Sequence, residues 1–172
     1  GAHGTSIGFL IEYSGMGFVD AVKDLAQGVG MVVPDADDKI PPAQRAQNQA
    51  QALALSDALT QACDFYRAQL RTAPNAIEYL KKRGLTGEVA ARVGMGYAPS
   101  GWDNLRSVFP DYDALALVES GLVIDKVDEE GNKLKRYDRF RERIMFPIRN
   151  VKGQVIGFGG RVLDQGEPKY LN

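Results

Sequence analysis

Hydrophobic spacing changes once along this chain, at Gly121. Before it, apolar residues recur every three or four positions. After it they fall into short runs punctuated by glycine. Helical sequence followed by strand-like sequence confines the fold to the α+β class, a helical N-terminal part leading into a small, mostly antiparallel sheet. Residues 5–15 read as a short helix capped by Thr5 or Ser6, and 17–29 as a second one stopped by Gly30, with Phe18, Val22, Leu25, Ala26 and Val29 as its apolar stripe. PDADDKIPP at 34–42 interrupts the pattern with prolines and aspartates and is the expected linker. A long helix is expected over 43–71, free of internal Gly and Pro, with Leu55, Leu59, Ala62, Phe65, Tyr66 and Leu70 on one side. Asn75 and Thr86 are expected to cap two shorter helices, AIEYLKKRG and GEVAARVG, before a turn-rich connector, MGYAPSGW. WDNLRSVF and DALALVESG complete the helical part. LVIDKV, RIMFPIRN and VIGFGGRVL are the strand candidates, with turns at Gly131 and Gly153. The domain boundaries that follow are 1–33, the linker 34–42, a helical 43–120 and a β-rich 121–172.

Charge is unevenly spread. The net charge is −1 over 172 residues, yet residues 1–75 carry five Lys/Arg against eight acids, and residues 133–172 carry ten against four. A basic excess over strand-like sequence suits a polyanion partner as well as a solvated face. Arg139, Arg141 and Arg143 alternate in YDRFRERIMFPIR, so an extended chain would set them on one face as a phosphate-tracking rail, with Asp138 and Glu142 on the other. Local ion pairing after a bulge is the competing reading.

GFGGR at 157–161 is the most unusual local stretch. Glycine weakens a strand, so its presence marks either tight packing against a helix or close approach by something extended, with Arg161 as its anchor. A dinucleotide fingerprint needs these glycines to open a helix, and RVLDQGEP does not. Beyond Arg161, Lys169, Tyr170 and Asn172 offer a phosphate charge, a stacking face and a hydrogen-bonding amide, the set that single-stranded nucleic acid uses. His3 is the lone histidine, Cys63 falls on the apolar side of the long helix, and Asp35, Asp37 and Asp38 sit in the linker. None of these composes a catalytic or zinc constellation. The longest apolar runs are too short to span a membrane, and one cysteine suits a reducing compartment, so cytoplasm is expected.

RFRERIMFPIRNVKGQVIGFGGRVL followed by PKYLN resembles the start of the RNA polymerase domain of bacterial DnaG-type DNA primases. YLKKRGLTGEVAARVGMGYAPSGWDNL resembles the helical segment before it, and GAHGTSIGFLIEYSGMGFVDAVKDLA the helices after the family's zinc ribbon. The resemblance implies a DNA-directed RNA polymerase that makes short RNA primers on single-stranded DNA from ribonucleoside triphosphates, beside the replicative helicase in the primosome. It implies zinc and magnesium or manganese in the intact protein, with the zinc ligands before Gly1 and the metal-binding carboxylates of the Toprim fold after Asn172. It further implies that this monomeric stretch holds template without catalysing. By correspondence with the family's motifs, Arg161, Lys169, Tyr170 and Asn172 match its template-binding residues, Arg83 another template contact, and Arg141 and Arg143 basic residues near the same groove. A protein-interaction scaffold using the basic sheet, or another Toprim-type nucleic-acid enzyme, are the alternative readings.

Overall fold

The computed structural model describes residues 18–31, 41–163 and 166–172. The helix expected at 5–15 and nearly all of the linker lie outside them. The chain divides into two compact units, residues 1–47 and 48–172.

In the first unit, α1 spans Phe18–Gly28. It closes through Gly30, whose φ of 71° is left-handed, while the Met31 amide donates back to the Ala26 carbonyl at 2.8 Å. Its stripe is narrower than expected. Ala21 is buried, and Val22, Leu25 and Ala26 are half-buried, whereas Phe18 and Val29 at the two ends are exposed.

The second unit is built on α2, Pro42–Arg71, which begins before the unit's first residue. Pro42 fits its first turn, where no amide donor is required. Buried residues recur at Ala58, Leu59, Ala62, Cys63, Tyr66 and Leu70, a helical stripe confined to the C-terminal half. α3 is Pro74–Lys82. Its cap is Ala73, with no side-chain hydrogen bond, because Pro74 already supplies the first helical position; the expected cap, Asn75, lies within the first turn. α4, Gly87–Val93, starts as expected, with the Thr86 hydroxyl accepting from the Val89 amide at 3.3 Å, and ends at left-handed Gly94.

The connector holds a strand, β1 (Gly96–Ala98). A Cβ on Gly96 would come within 2.6 Å of the Tyr66 Cβ, so only glycine lets this strand lie on the α2 backbone. A 3-10 turn at Asn104–Ser107 and a five-residue helix, α5 (Leu115–Glu119), replace the two longer helices expected. β2 (Val123–Val127) and β3 (Lys133–Asp138) form an antiparallel hairpin around Gly131. β3 was not among the strand candidates, since its charged residues blur any alternation.

β4 (Arg143–Arg149), β5 (Val155–Val162) and β6 (Tyr170–Leu171) join β1 in an antiparallel sheet of order β1-β4-β5-β6. The architecture is thus α+β. Facing residues share a side of a sheet, which divides this one cleanly. The row Gly96–Met145–Gly160–Leu171 faces the core around Tyr66, Phe140 and Phe158. The adjoining row Tyr97–Ile144–Arg161–Tyr170 faces the other way, where Leu70, Ala76, Leu80 and Ala90 pack on Tyr97 and Ile144. Among the described residues no helix is long and apolar enough to cross a membrane.

Candidate nucleic-acid interface

Arg161 sits where the second face of the sheet runs out of helical cover. Ile144, its neighbour in the row, is fully buried, while Tyr170, its neighbour on the other side, is 62% exposed. Nε of Arg161 donates to the Tyr79 hydroxyl at 2.6 Å. Nη1 donates to the Tyr170 hydroxyl, and the guanidinium carbon lies 4.9 Å from the Tyr170 ring centroid. On α3, one turn past Tyr79, the Arg83 guanidinium stands 5.0 Å from the Tyr79 ring. Tyr79 therefore ties together Arg83 and Arg161, which sequence reading had named separately. Among the described residues, neither arginine forms an ion pair with a carboxylate. Two guanidiniums stacked on tyrosine rings, with no acid among the described residues paired to them, leave positive charge free for an anion.

The glycines of β5 split into two kinds. Gly157 and Gly159 share the face of Arg161, and a Cβ added at either meets no atom within 4 Å. Gly160 faces the core, where an added Cβ would lie 2.8 Å from Phe140. The two readings of GFGGR thus apply to different residues: Gly160 serves packing, and Gly157 and Gly159 leave the backbone bare. The strand's own alternation makes this division, placing Gly160 on the opposite side from Gly157 and Gly159.

The chain on either side of β6 is held by arginines expected to be free. Arg143 is buried, and its Nη1 donates to the Pro168 carbonyl at 2.8 Å. Burial, then the nearby Arg141 charge, lowers its pKa. Arg139 donates to the backbone oxygen of Asn172 at 2.9 Å. Lys169, exposed, precedes β6, and its carbonyl accepts from the Val162 amide at 3.2 Å. Lys169 and Asn172 therefore flank the Arg161–Tyr170 row without belonging to it.

The expected rail of Arg139, Arg141 and Arg143 is not one strand. β3 ends at Asp138 and β4 starts at Arg143, and between them Glu142 takes a φ of 51°, which turns the chain. Arg141 packs over Trp102 at 4.0 Å and Tyr137 at 5.2 Å, and donates to the Asp138 carbonyl at 2.5 Å. It lines a cleft of about 380 Å³ with Trp102, Tyr137, Arg139 and Pro168. Arg143 is sealed as a strut, so of these two only Arg141 retains reach toward a ligand. Asp138 is buried, accepting from the Tyr112 hydroxyl at 2.6 Å and the Leu105 amide at 3.1 Å, and is no counter-charge to the arginines. Cys63 is a buried core thiol whose pKa burial raises. Sequence reading missed Tyr79 and Trp102. The i,i+4 spacing of Tyr79 and Arg83 was the available signal for the first.

The family model described as the N-terminal domain of the DNA primase catalytic core matches residues 65–172. The chain belongs to the bacterial DnaG primase family. A DNA primase of Neisseria meningitidis is 52% identical over the whole of this chain, which spans 28% of that relative. Among solved structures, the DnaG primase catalytic domain bound to single-stranded DNA superposes with a TM-score of 0.64 at 43% identity, covering 72% of this chain and 40% of that one. The Aquifex aeolicus primase, comprising zinc-binding and RNA polymerase domains, covers 98% of this chain and 38% of that one, with a TM-score of 0.61 at 32% identity. The chain spans between a quarter and a third of the curated DnaG relatives it matches.

Proposed function

We propose that this DnaG segment holds the single-stranded DNA template for a primase that makes short RNA primers from ribonucleoside triphosphates. The observation that carries the reading is the in-register pair of Arg161 and Tyr170 beside the bare backbone of Gly157 and Gly159. A strand of unpaired DNA could lie against that backbone, with phosphates on Arg161, Arg83 and Lys169 and a base stacked on Tyr170. Such contacts grip the backbone and carry little sequence information, as a template track requires. The solved DnaG domain that contains single-stranded DNA supports this choice of ligand.

The same reading covers the longer protein. Residues 1–33 would be the tail of a zinc-ribbon domain, 34–42 a linker, and 43–120 and 121–172 the helical and β-rich parts of the polymerase's N-terminal subdomain. Among the described residues, no three His, Cys, Asp or Glu side chains gather into a ligand set. Zinc and magnesium or manganese, the replicative helicase and the nucleotide substrates belong to parts outside this chain, and the working compartment is the bacterial cytoplasm.

The test is the salt dependence of binding. Fluorescence anisotropy with labelled oligothymidylate measures affinity across a range of salt, and each lost phosphate contact lowers the slope by about 0.7. The Arg161→Ala, Lys169→Ala double variant should therefore bind less tightly and with a flatter slope. Unchanged affinity and slope in a folded double variant would remove these residues from the track. Tyr170→Ala separates template holding from protein docking, since loss of oligothymidylate affinity is expected only for the former.

A further inference from the structure

A second concavity takes no part in the arrangement above. It lies between the C-terminal half of α2, α3 and α4 and holds about 280 Å³. Leu70, Leu80, Ala90 and Met95, all buried, supply its floor, with Ile77 and Leu85 partly buried beside them. The mouth is cationic, lined by Arg67, Arg71 and Lys81. Arg67 meets Asp64 at 3.6 Å. Glu78, the acid on α3 nearest Lys81 in sequence, is taken by Lys82 at 2.9 Å. Among the described residues, Arg71 and Lys81 form no ion pair.

Shape and charge together define an occupant. An apolar hollow between three helices recovers free energy only by taking apolar surface out of water. Apart from Thr86 and the cationic rim its lining offers no polar side chain to orient a base or sugar, which suits one or two bulky apolar side chains better than a nucleotide. Two unpaired cations at the mouth select carboxylates flanking those side chains. We propose that this pocket docks a short acidic segment of a partner protein, seating large apolar side chains between α2, α3 and α4 and laying carboxylates on Arg71 and Lys81. This follows the anchor-in-groove mode of peptide recognition, in which a few buried apolar residues carry the affinity and the charged rim sets the choice of partner.

The probe is a fluorescein-labelled peptide carrying a Phe-Leu pair between aspartates, titrated with the 172-residue chain and followed by anisotropy. Controls replace Phe-Leu by Ser-Ser, or the aspartates by lysines. Saturable binding is expected for the first peptide, at least tenfold tighter than for either control. Ala91 lines the pocket yet is exposed on α4, so Ala91→Leu should fill the pocket without unfolding the helix. Ala91→Leu, and separately Arg71→Glu with Lys81→Glu, should each weaken the peptide at least tenfold, with the thermal melt and the oligothymidylate affinity of Ala91→Leu unchanged. Equal binding of the Ser-Ser peptide would show charge alone, and equal binding of the lysine peptide would show greasiness alone. Insensitivity to Ala91→Leu, or displacement by unlabelled oligothymidylate, would move the site elsewhere. Each of these results overturns the proposal. An experiment on this pocket can fail while the salt-slope experiment on Arg161 and Lys169 succeeds, and the reverse, so the two readings stand or fall separately.

Discussion

The Tyr79 hydroxyl accepts a 2.6 Å hydrogen bond from Nε of Arg161, joining α3 to β5 across 82 positions of sequence. The same ring carries the Arg83 guanidinium, so one tyrosine orients two cations of the proposed template track. Holding long side chains in one geometry before a ligand arrives lowers the ordering cost of binding.

Tyr79→Phe keeps the ring under Arg83 and removes the acceptor for Arg161. The lost bond to a charged donor corresponds to about 1.5 kcal/mol or somewhat more, so oligothymidylate should bind about tenfold more weakly or beyond. Both charges remain, so the salt slope should stay as in the parent. Anisotropy titrations at several salt concentrations separate the two quantities. A flattened slope would mean that Tyr79 acts by some route other than orienting Arg161.

The β5 glycines permit a paired experiment. Gly159→Val adds a β-branched side chain to open space on a strand that favours one. Its melting temperature should hold or rise while oligothymidylate affinity falls at least tenfold through steric block. Gly160→Ala should do the opposite, costing roughly 1–3 kcal/mol of stability as its methyl meets Phe140, with the template face intact. Thermal melts and anisotropy on both variants decide it, and the track would be misassigned if Gly159→Val bound normally.

That contrast also marks how far the sequence could be read. Helical periodicity located α2 and α4, and the glycine at position 131 located the β2–β3 turn, because these depend on residues close together in the chain. GFGGR could announce unusual backbone, and alternation could separate Gly160 from Gly157 and Gly159, but which side is packed depends on Phe140 arriving from a distant loop. Alternation in YDRFRERIMF suggested one continuous strand. The turn at Glu142 follows from tertiary anchors instead, with the Arg139 amide donating to Leu122 and the Glu142 amide to Pro99. Arg143 looked like a free cation for the same reason, since nothing local foretells burial under a carbonyl from residue 168.

Arg143→Met tests that strut. The methionine retains much of the buried stem but loses the donor to Pro168. The segment ahead of β6 should loosen, and the Val162 amide, whose acceptor is the Lys169 carbonyl, should exchange with deuterium faster than in the parent. Oligothymidylate affinity should drop several-fold with the salt slope preserved, because Arg143 contributes position and no phosphate contact. Hydrogen exchange read residue by residue gives the answer. A reduced slope with unaltered Val162 exchange would make Arg143 a direct contact instead.

Asp138 links the hairpin to the 3-10 turn and should make stability depend on pH. Burial raises its pKa, and the hydrogen bonds from Tyr112 and Leu105 offset that only in part. A carboxyl whose folded pKa exceeds its unfolded value holds its proton more tightly when folded. Its contribution is therefore largest below the ordinary carboxylate range and declines as pH rises through the raised value. Asp138→Asn removes the titration and leaves one oxygen to accept from two donors, the Tyr112 hydroxyl and the Leu105 N–H, with an amide nitrogen set against the other, a mismatch of about 1–3 kcal/mol. The parent should accordingly be the more stable at about pH 7, and its advantage should widen as the solution is taken toward about pH 4. Urea unfolding of both proteins across this range measures the difference directly, with other titrating groups cancelling between them. An advantage that narrows on acidification would mean that Asp138 is held as a carboxylate, its hydrogen bonds outweighing its burial.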